Sequence, residues 1–257
     1  MADFSAKYVA TNNRKGAPEY DKVFIDSLRE QLLKDAPELI SISDAILAAI
    51  AIGAHRADVA TRLFEQAIVP VVDDKVAVLK TLNLSRAVLM IVWPFVGIPW
   101  CVPAALGIVD VLRRHNVEDV VLGDGGGNIK TPQINDSTKD AGQQLLGRTY
   151  QNVNNGEVQE MLRTFFPDFA HLTWTVVFGC ALAGTTATGI LEEKQTQLVL
   201  ATATVASGAL RQARSHLKAA VGLGISASAA AAVSRAAVSF STWNGVEITG
   251  VSEDDLY

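Results

Sequence analysis

The residue best suited to chemistry in this chain is a histidine set among alanines inside an amphipathic helix. Between Leu210 and Val221, the residues Leu210, Ala213, Leu217, Ala220 and Val221 recur at helical spacing, with His216 beside them and Gln212 one turn earlier. An imidazole beside small side chains, with room in front of it, is suited to moving a proton near neutral pH. The alternative is a core-edge histidine bonded to a neighbouring carbonyl. Arg211 and Arg214 lie close in sequence, and Arg235 on the next helix could join them to hold a carboxylate through paired hydrogen bonds. A solvated helix face is the plainer reading of each. Trp93, Phe95, Trp100, Trp174, Phe178 and Trp243 fall at bends and helix openings, where large rings can wall a pocket for a cyclic compound or simply fill the core.

Other chemistries lack their residues. His55, His115, His171 and His216 share no ligand spacing, so no metal is expected, and no cofactor motif occurs. The tract Val117 to Asn128, VEDVVLGDGGGN, has the glycines of a phosphate loop, but Ile129-Lys130-Thr131-Pro132 follows where a helix would have to open. A linker is the expected structure there. With 27 acidic and 22 basic side chains the net charge is −5, and no Lys/Arg cluster offers a nucleic-acid surface. Cys101 and Cys180 form no Cys-x-x-Cys pair and no disulfide framework, which suits two buried thiols in a reducing compartment.

The 257 residues, 49% hydrophobic and 19% charged, are ample for a packed core. Helical signals dominate and strand patterns are nearly absent. Asp21 to Lys34 is amphipathic through Val23, Phe24, Leu28, Leu32 and Leu33. Ala87 to Val109 carries no charge and is long enough to span a bilayer, but Pro94, Pro99 and Pro103 would break a spanning helix repeatedly. A buried helix ending near Trp93, a bend and a second helix are expected instead. Leu172 to Leu191 reads as interior helix plus loop. The N-terminus has an early acid and no apolar stretch, so a cytoplasmic protein without a membrane segment is expected.

The chain also matches itself. Ile46 to Gly53 aligns with Ala201 to Gly208 and Ser85-Arg86-Ala87-Val88 with Ser234-Arg235-Ala236-Ala237, and Trp93 and Trp243 follow the second pair. An insertion around Pro70 to Lys80 reconciles the two offsets. The expected organisation is an N-terminal arm (1–20), a first helical repeat (21–115), a connecting segment (116–157), a second repeat (158–249) and a tail (250–257). The fold class is an all-α bundle of two related halves, with a small-molecule pocket between them.

Pro167-Asp168-Phe169, Phe178-Gly179, Leu191 to Leu198, Gly208, His216, Ala219-Ala220 and Gly224-Ile225-Ser226 follow one another in an order that resembles the carboxymuconolactone decarboxylase and alkylhydroperoxidase D-like superfamily. In the first half, VLMIVWPFVGIPWCVPAALGIV (88–109) is similar to that family's closing helix, bend and following helix. The resemblance implies an alkylhydroperoxidase D-like fold, a homo-oligomer (here a dimer or trimer), and a cofactor-free reaction in which a histidine, here His216, protonates carbon as a carboxylate leaves. It also shows departures. Ala209 and Gln212 stand where the peroxidase branch has its Cys-x-x-Cys, which removes thiol peroxidase chemistry. The family glutamate behind the histidine falls at Gln197, an amide that can orient but not take a proton. Thr61 matches His216 in the first half, leaving one working site per chain. The expected activity is a lyase or isomerase step on a small cyclic acid, lactone or polyketide-like compound, with Gln212 or Gln197 orienting His216. The alternative is a non-catalytic ligand-binding or scaffolding member. Asp168, His171 or Glu160, brought to His216 by folding, would restore the missing partner.

Overall fold

The computed structural model describes residues 4–122, 133–151, 153 and 156–257, and among them there is no strand. The centre is built from two helices, α2 (Ser43–Gly53) and α9 (Glu193–Ala206). Every residue of α9 from Thr196 to Ala206 is buried, as befits a helix that is apolar or small on all sides. Its threonines do not leave unpaired hydroxyls in that interior: Thr202 donates to the Leu198 carbonyl and Thr204 to that of Ala201, both at 2.7 Å. The two helices approach closely at Gly53, where a Cβ would stand 2.5 Å from the Ala203 carbonyl oxygen.

Three further helices complete each side of this pair. On one side α3 (Ala57–Ile68), α4 (Lys75–Val96) and α5 (Ile98–Arg114) follow α2; on the other, α10 (Leu210–Gly222) and α11 (Ala227–Trp243) follow α9, and α1 (Lys22–Asp35) packs on α11. The main apolar core runs through both sides, from Val9 to Leu256, and a second, smaller cluster joins α3, α4 and α5 around Ile68, Val78 and Val111. Local signals set the helix ends. Asp21 caps α1 by accepting from the Phe24 N–H; α9 opens on a capping box between Glu192 and Gln195 and ends at Gly208, whose φ of +76° suits glycine. The buried face of α1 is Ile25, Leu28 and Leu32, with Val23 exposed, so the stripe is rotated from the expected one.

The uncharged stretch bends at Gly97 (φ +101°), four residues beyond Trp93, because α4 continues through Pro94. Pro99 lies in the first turn of α5, where no amide donor is required. Pro103 leaves the Pro99 carbonyl without its helical donor, and the Asn12 side chain supplies one at 3.2 Å. Lys75–Val96 and Pro167–Thr186 are long and apolar enough to cross a membrane by length and composition, and a third and a half of their apolar windows, respectively, are buried within the protein.

The segment 116–157 is more than a connection. It contains α6 (Asp136–Tyr150), capped by Asn135 through the Thr138 N–H, and the first residues of α7 (Gly156–Phe165). The glycine-rich loop expected after Leu122 lies outside the described residues. A short helix α8 (Pro167–Leu172) continues into eleven residues of π-helix, Thr173–Ala183, and α6 packs along it. Gly142 of α6 sits against the Trp174 carbonyl and Gly179 against that of Thr138, so the two backbones meet without intervening side chains.

The two ends of the chain are fastened. Arg56, 1% exposed, donates to Asp58, to the Asn244 side chain and to the Pro18 carbonyl of the N-terminal arm, and stacks over Trp243. In the tail, the Val251 N–H donates to Ser234 Oγ at 2.7 Å and Leu256 is buried.

Candidate functional site

His216 lies where the C-terminal ends of α4 and α6 meet α9 and α10. It is 2% exposed. The Gln197 side-chain amide donates to Nδ1 at 2.8 Å and also faces the His216 carbonyl oxygen at 3.4 Å. The carbonyl oxygen can only accept, so the amide end that faces both atoms is the NH2 group. Nδ1 is therefore the acceptor and the ring's proton sits on Nε2. Burial pushes the pKa of His216 down to about 4, so the ring is neutral at pH 7. The Phe95 ring meets the imidazole edge-on at 5.2 Å, and the Tyr150 ring lies at 6.0 Å.

A cavity of about 430 Å³ opens between α6, α7 and the π-helical segment, a volume in the range of small-molecule sites. Tyr150, Gln143, Gln159, Arg163 and Trp174 contribute to its wall. The Trp174 indole N–H donates to Gln159 at 3.4 Å, and the Arg163 guanidinium stacks over the indole at 5.5 Å. Arg163 makes no ion pair among the described residues. His216 does not line this cavity. Tyr150 is the side chain shared by the cavity wall and the surroundings of the imidazole, and burial raises its pKa to about 12, so it faces the cavity as a neutral phenol.

The expected site residues separate into three groups. His216, Gln197, Phe95, Phe178 and Trp174 come together around Tyr150, Phe178 lying 6.1 Å from that ring. Gln212 and Arg211 do not join them: both are exposed. Gln212 lies one turn before His216 and about 40° from it round α10, but in the exposed first turn of that helix, and no hydrogen bond joins it to the imidazole among the described residues. Trp100 stacks on His55 at 3.8 Å, Trp243 stacks on Phe24 at 4.9 Å, and Trp93 is half-buried against the core, so these three serve packing. Arg214 pairs with Asp255 and Arg235 with Asp35. Asp168, His171 and Glu160 are exposed and none bonds His216, so Gln197 is its polar partner among the described residues. Cys101 and Cys180 are both buried and free.

Tyr150 escaped the sequence reading because it falls in a stretch taken as a connection. The Asn135 cap and the spacing of Gly142, Leu145 and Thr149, the buried face of α6, were the signals that a helix leads to it.

A larger cavity, about 1210 Å³, lies elsewhere, between the N-terminal arm, α3 and α5. Volume favours it and chemistry does not. Thr61, the position matching His216, lines it but donates its hydroxyl to the Ala57 carbonyl. Three of its four carboxylates are held by arginines, Glu65 by Arg114 and Arg62, Asp110 by Arg114 and Asp58 by Arg56, the fourth being Glu19. Burial alone would raise the Glu65 pKa, but hydrogen bonds from Arg114, His115 and Arg62 outweigh it and hold it at about 2. No family model matches the chain, and neither a curated protein nor a solved structure shows significant similarity to it.

Proposed function

We propose that the chain is a cofactor-free, carboxymuconolactone decarboxylase-like lyase or isomerase whose substrate occupies the cavity beside Tyr150, with a neutral His216 stabilising the enolate oxygen and Tyr150, rather than the histidine, supplying the proton. The observation that carries this reading is the buried Gln197–His216 pair, which fixes one tautomer of a neutral imidazole next to a cavity of small-molecule size. The correspondence of α2, α3 and α4 with α9, α10 and α11 supports the two-half, alkylhydroperoxidase D-like arrangement. Its six-residue difference falls between Ile68 and Val78, within the link to α4 and its first turn. Two free, buried thiols fit a cytoplasmic setting.

In decarboxylation, the electron pair of the C–CO2 bond moves into an adjacent carbonyl as carbon dioxide leaves. A neutral Nε2–H is then a hydrogen-bond donor to the enolate oxygen, the use made of a neutral histidine with a lowered pKa in enolising enzymes. The proton for carbon comes from the Tyr150 phenol on the cavity wall, which recovers it from water. Isomerisation without loss of the carboxylate would return the proton to Tyr150, the phenol protonating one carbon and the resulting phenolate taking a proton from another. Contact between substrate and Nε2 requires the Tyr150 or Phe95 ring to shift on binding.

The near-complete burial of His216 also favours a second reading, a ligand-binding member in which the histidine is structural. Incubating wild-type protein and His216→Asn with small-molecule extracts, followed by mass spectrometry, separates the two. Catalysis predicts a compound consumed by the wild type alone, with a product lighter by carbon dioxide or of equal mass and altered retention. Equal retention of one unchanged compound by both proteins would leave only the binding role.

A further inference from the structure

Among the described residues, the apolar stripe of helix α7 is left largely uncovered. Val158, Met161, Leu162 and Phe165 recur at i, i+3, i+4 and i+7, the pattern that buries one side of a helix, yet α7 has no buried residue. Its main packing partner is the short α8 that follows it. On this hairpin Met161, Phe165, Phe166, Phe169 and Leu172 are 51%, 72%, 59%, 60% and 57% exposed. Taking about 200 Å² for a whole aromatic side chain, the five expose on the order of 500 Å² of apolar surface. A monomer's largest apolar patch is about 300–600 Å² and is often functional. At the roughly 60% apolar share of an interface, 500 Å² corresponds to about 800 Å² per partner, the size at which a specific protein pair becomes stable.

We propose that the α7–α8 hairpin is the contact face of a homodimer, with a second copy of this chain seated on it about a two-fold axis. A two-fold contact sets the same patch against itself, so an aromatic face finds an apolar counterpart of equal size. The chain's own 123–132, GDGGGNIKTP, offers one large apolar side chain, Ile129, and is too polar to cover the patch. Glu157, Glu160 and Asp168 stand in the same hairpin, and the chain carries −5, which sets the face against an anionic membrane. Gln159 and Arg163 on α7 line the cavity described above, so docking on this helix also steadies one wall of that site. The proposal does not rest on the catalytic reading.

The test is analytical ultracentrifugation of the wild type and of Phe165→Glu/Phe169→Glu from about 1 to 100 μM, with and without vesicles of phosphatidylcholine and phosphatidylglycerol. The wild type should sediment at twice the chain mass, and the double variant as a monomer with an unchanged circular dichroism spectrum. Two anchors lost from the centre of an interface should weaken the dimer about 100-fold or more. Amide exchange across 156–172 in the wild type should slow as protein concentration rises, a readout that needs no variant. A monomeric wild type, a double variant that still dimerises, exchange independent of concentration, or a monomer that cosediments with vesicles would overturn the proposal.

Discussion

Acidification should destabilise this protein through His216, by an amount that follows from its burial. The imidazole is held neutral with a pKa of about 4, whereas in the unfolded chain it titrates near 6.5. Between those values the unfolded state binds a proton that the folded state does not, so stability falls as pH falls. The contribution is complete above pH 6.5 and is lost progressively towards pH 4. The 2.5-unit gap, at 1.36 kcal/mol per unit, amounts to about 3 kcal/mol. Glu65, whose folded pKa is held low, also contributes stability that is lost in acid, but equally so in a variant without the imidazole. The assay is therefore urea unfolding of the wild type and His216→Asn at pH 7, 5.5 and 4, read as the difference between the two proteins. That difference should shift by about 3 kcal/mol against the wild type from pH 7 to pH 4. A difference constant to within about 0.5 kcal/mol, or an imidazole that titrates by NMR between pH 6 and 7, would refute the reasoning.

Gln197→Glu places a carboxylate against Nδ1 and should raise the His216 pKa by about 1–3 units, read by NMR; an unchanged value would show that the amide does not bond the ring. Arg56→Met leaves Asp58 and the Asn244 side chain without their buried cation, for an expected loss of about 3–5 kcal/mol in chemical unfolding, and a loss under about 1 kcal/mol would mean the clamp is dispensable. Gly142→Ala drives a methyl into the Trp174 carbonyl, so α6 must move off the π-helical segment at a cost of about 1–3 kcal/mol; a neutral effect on Tm would show that the two backbones do not meet there.

The parts of this structure that could be read from the sequence are those decided within one helix. The stripe of α10, the stop at Gly208, the all-helical class and the burial of both thiols follow from neighbours a few positions apart. Gln197 was reachable as the partner of His216 only through resemblance, since 19 positions and a helix turn separate them. Gln212 has the i, i+4 spacing that sets it beside His216, but it lies in the first turn of α10, where its side chain is left exposed. Trp100 and Trp243 were wrong for a different reason: their type suited a pocket, but His55 and Phe24, which they stack on, come from distant segments. Pro94 passed through α4 because a packed helix can forgo one donor, which no local rule announces. The cavity needed α6, α7 and the π-helical segment brought together, and periodicity within each carries no information about that meeting.

The central claim, that a substrate beside Tyr150 receives a proton under the control of His216, is tested most directly by running the extract incubation in deuterium oxide and reading the product mass. The account predicts a wild-type product with one deuterium bound to carbon, formed at less than about one hundredth of the rate by His216→Asn, the scale of a lost acid–base or enolate-stabilising group. A product without deuterium, or one formed equally fast by the variant, would contradict it.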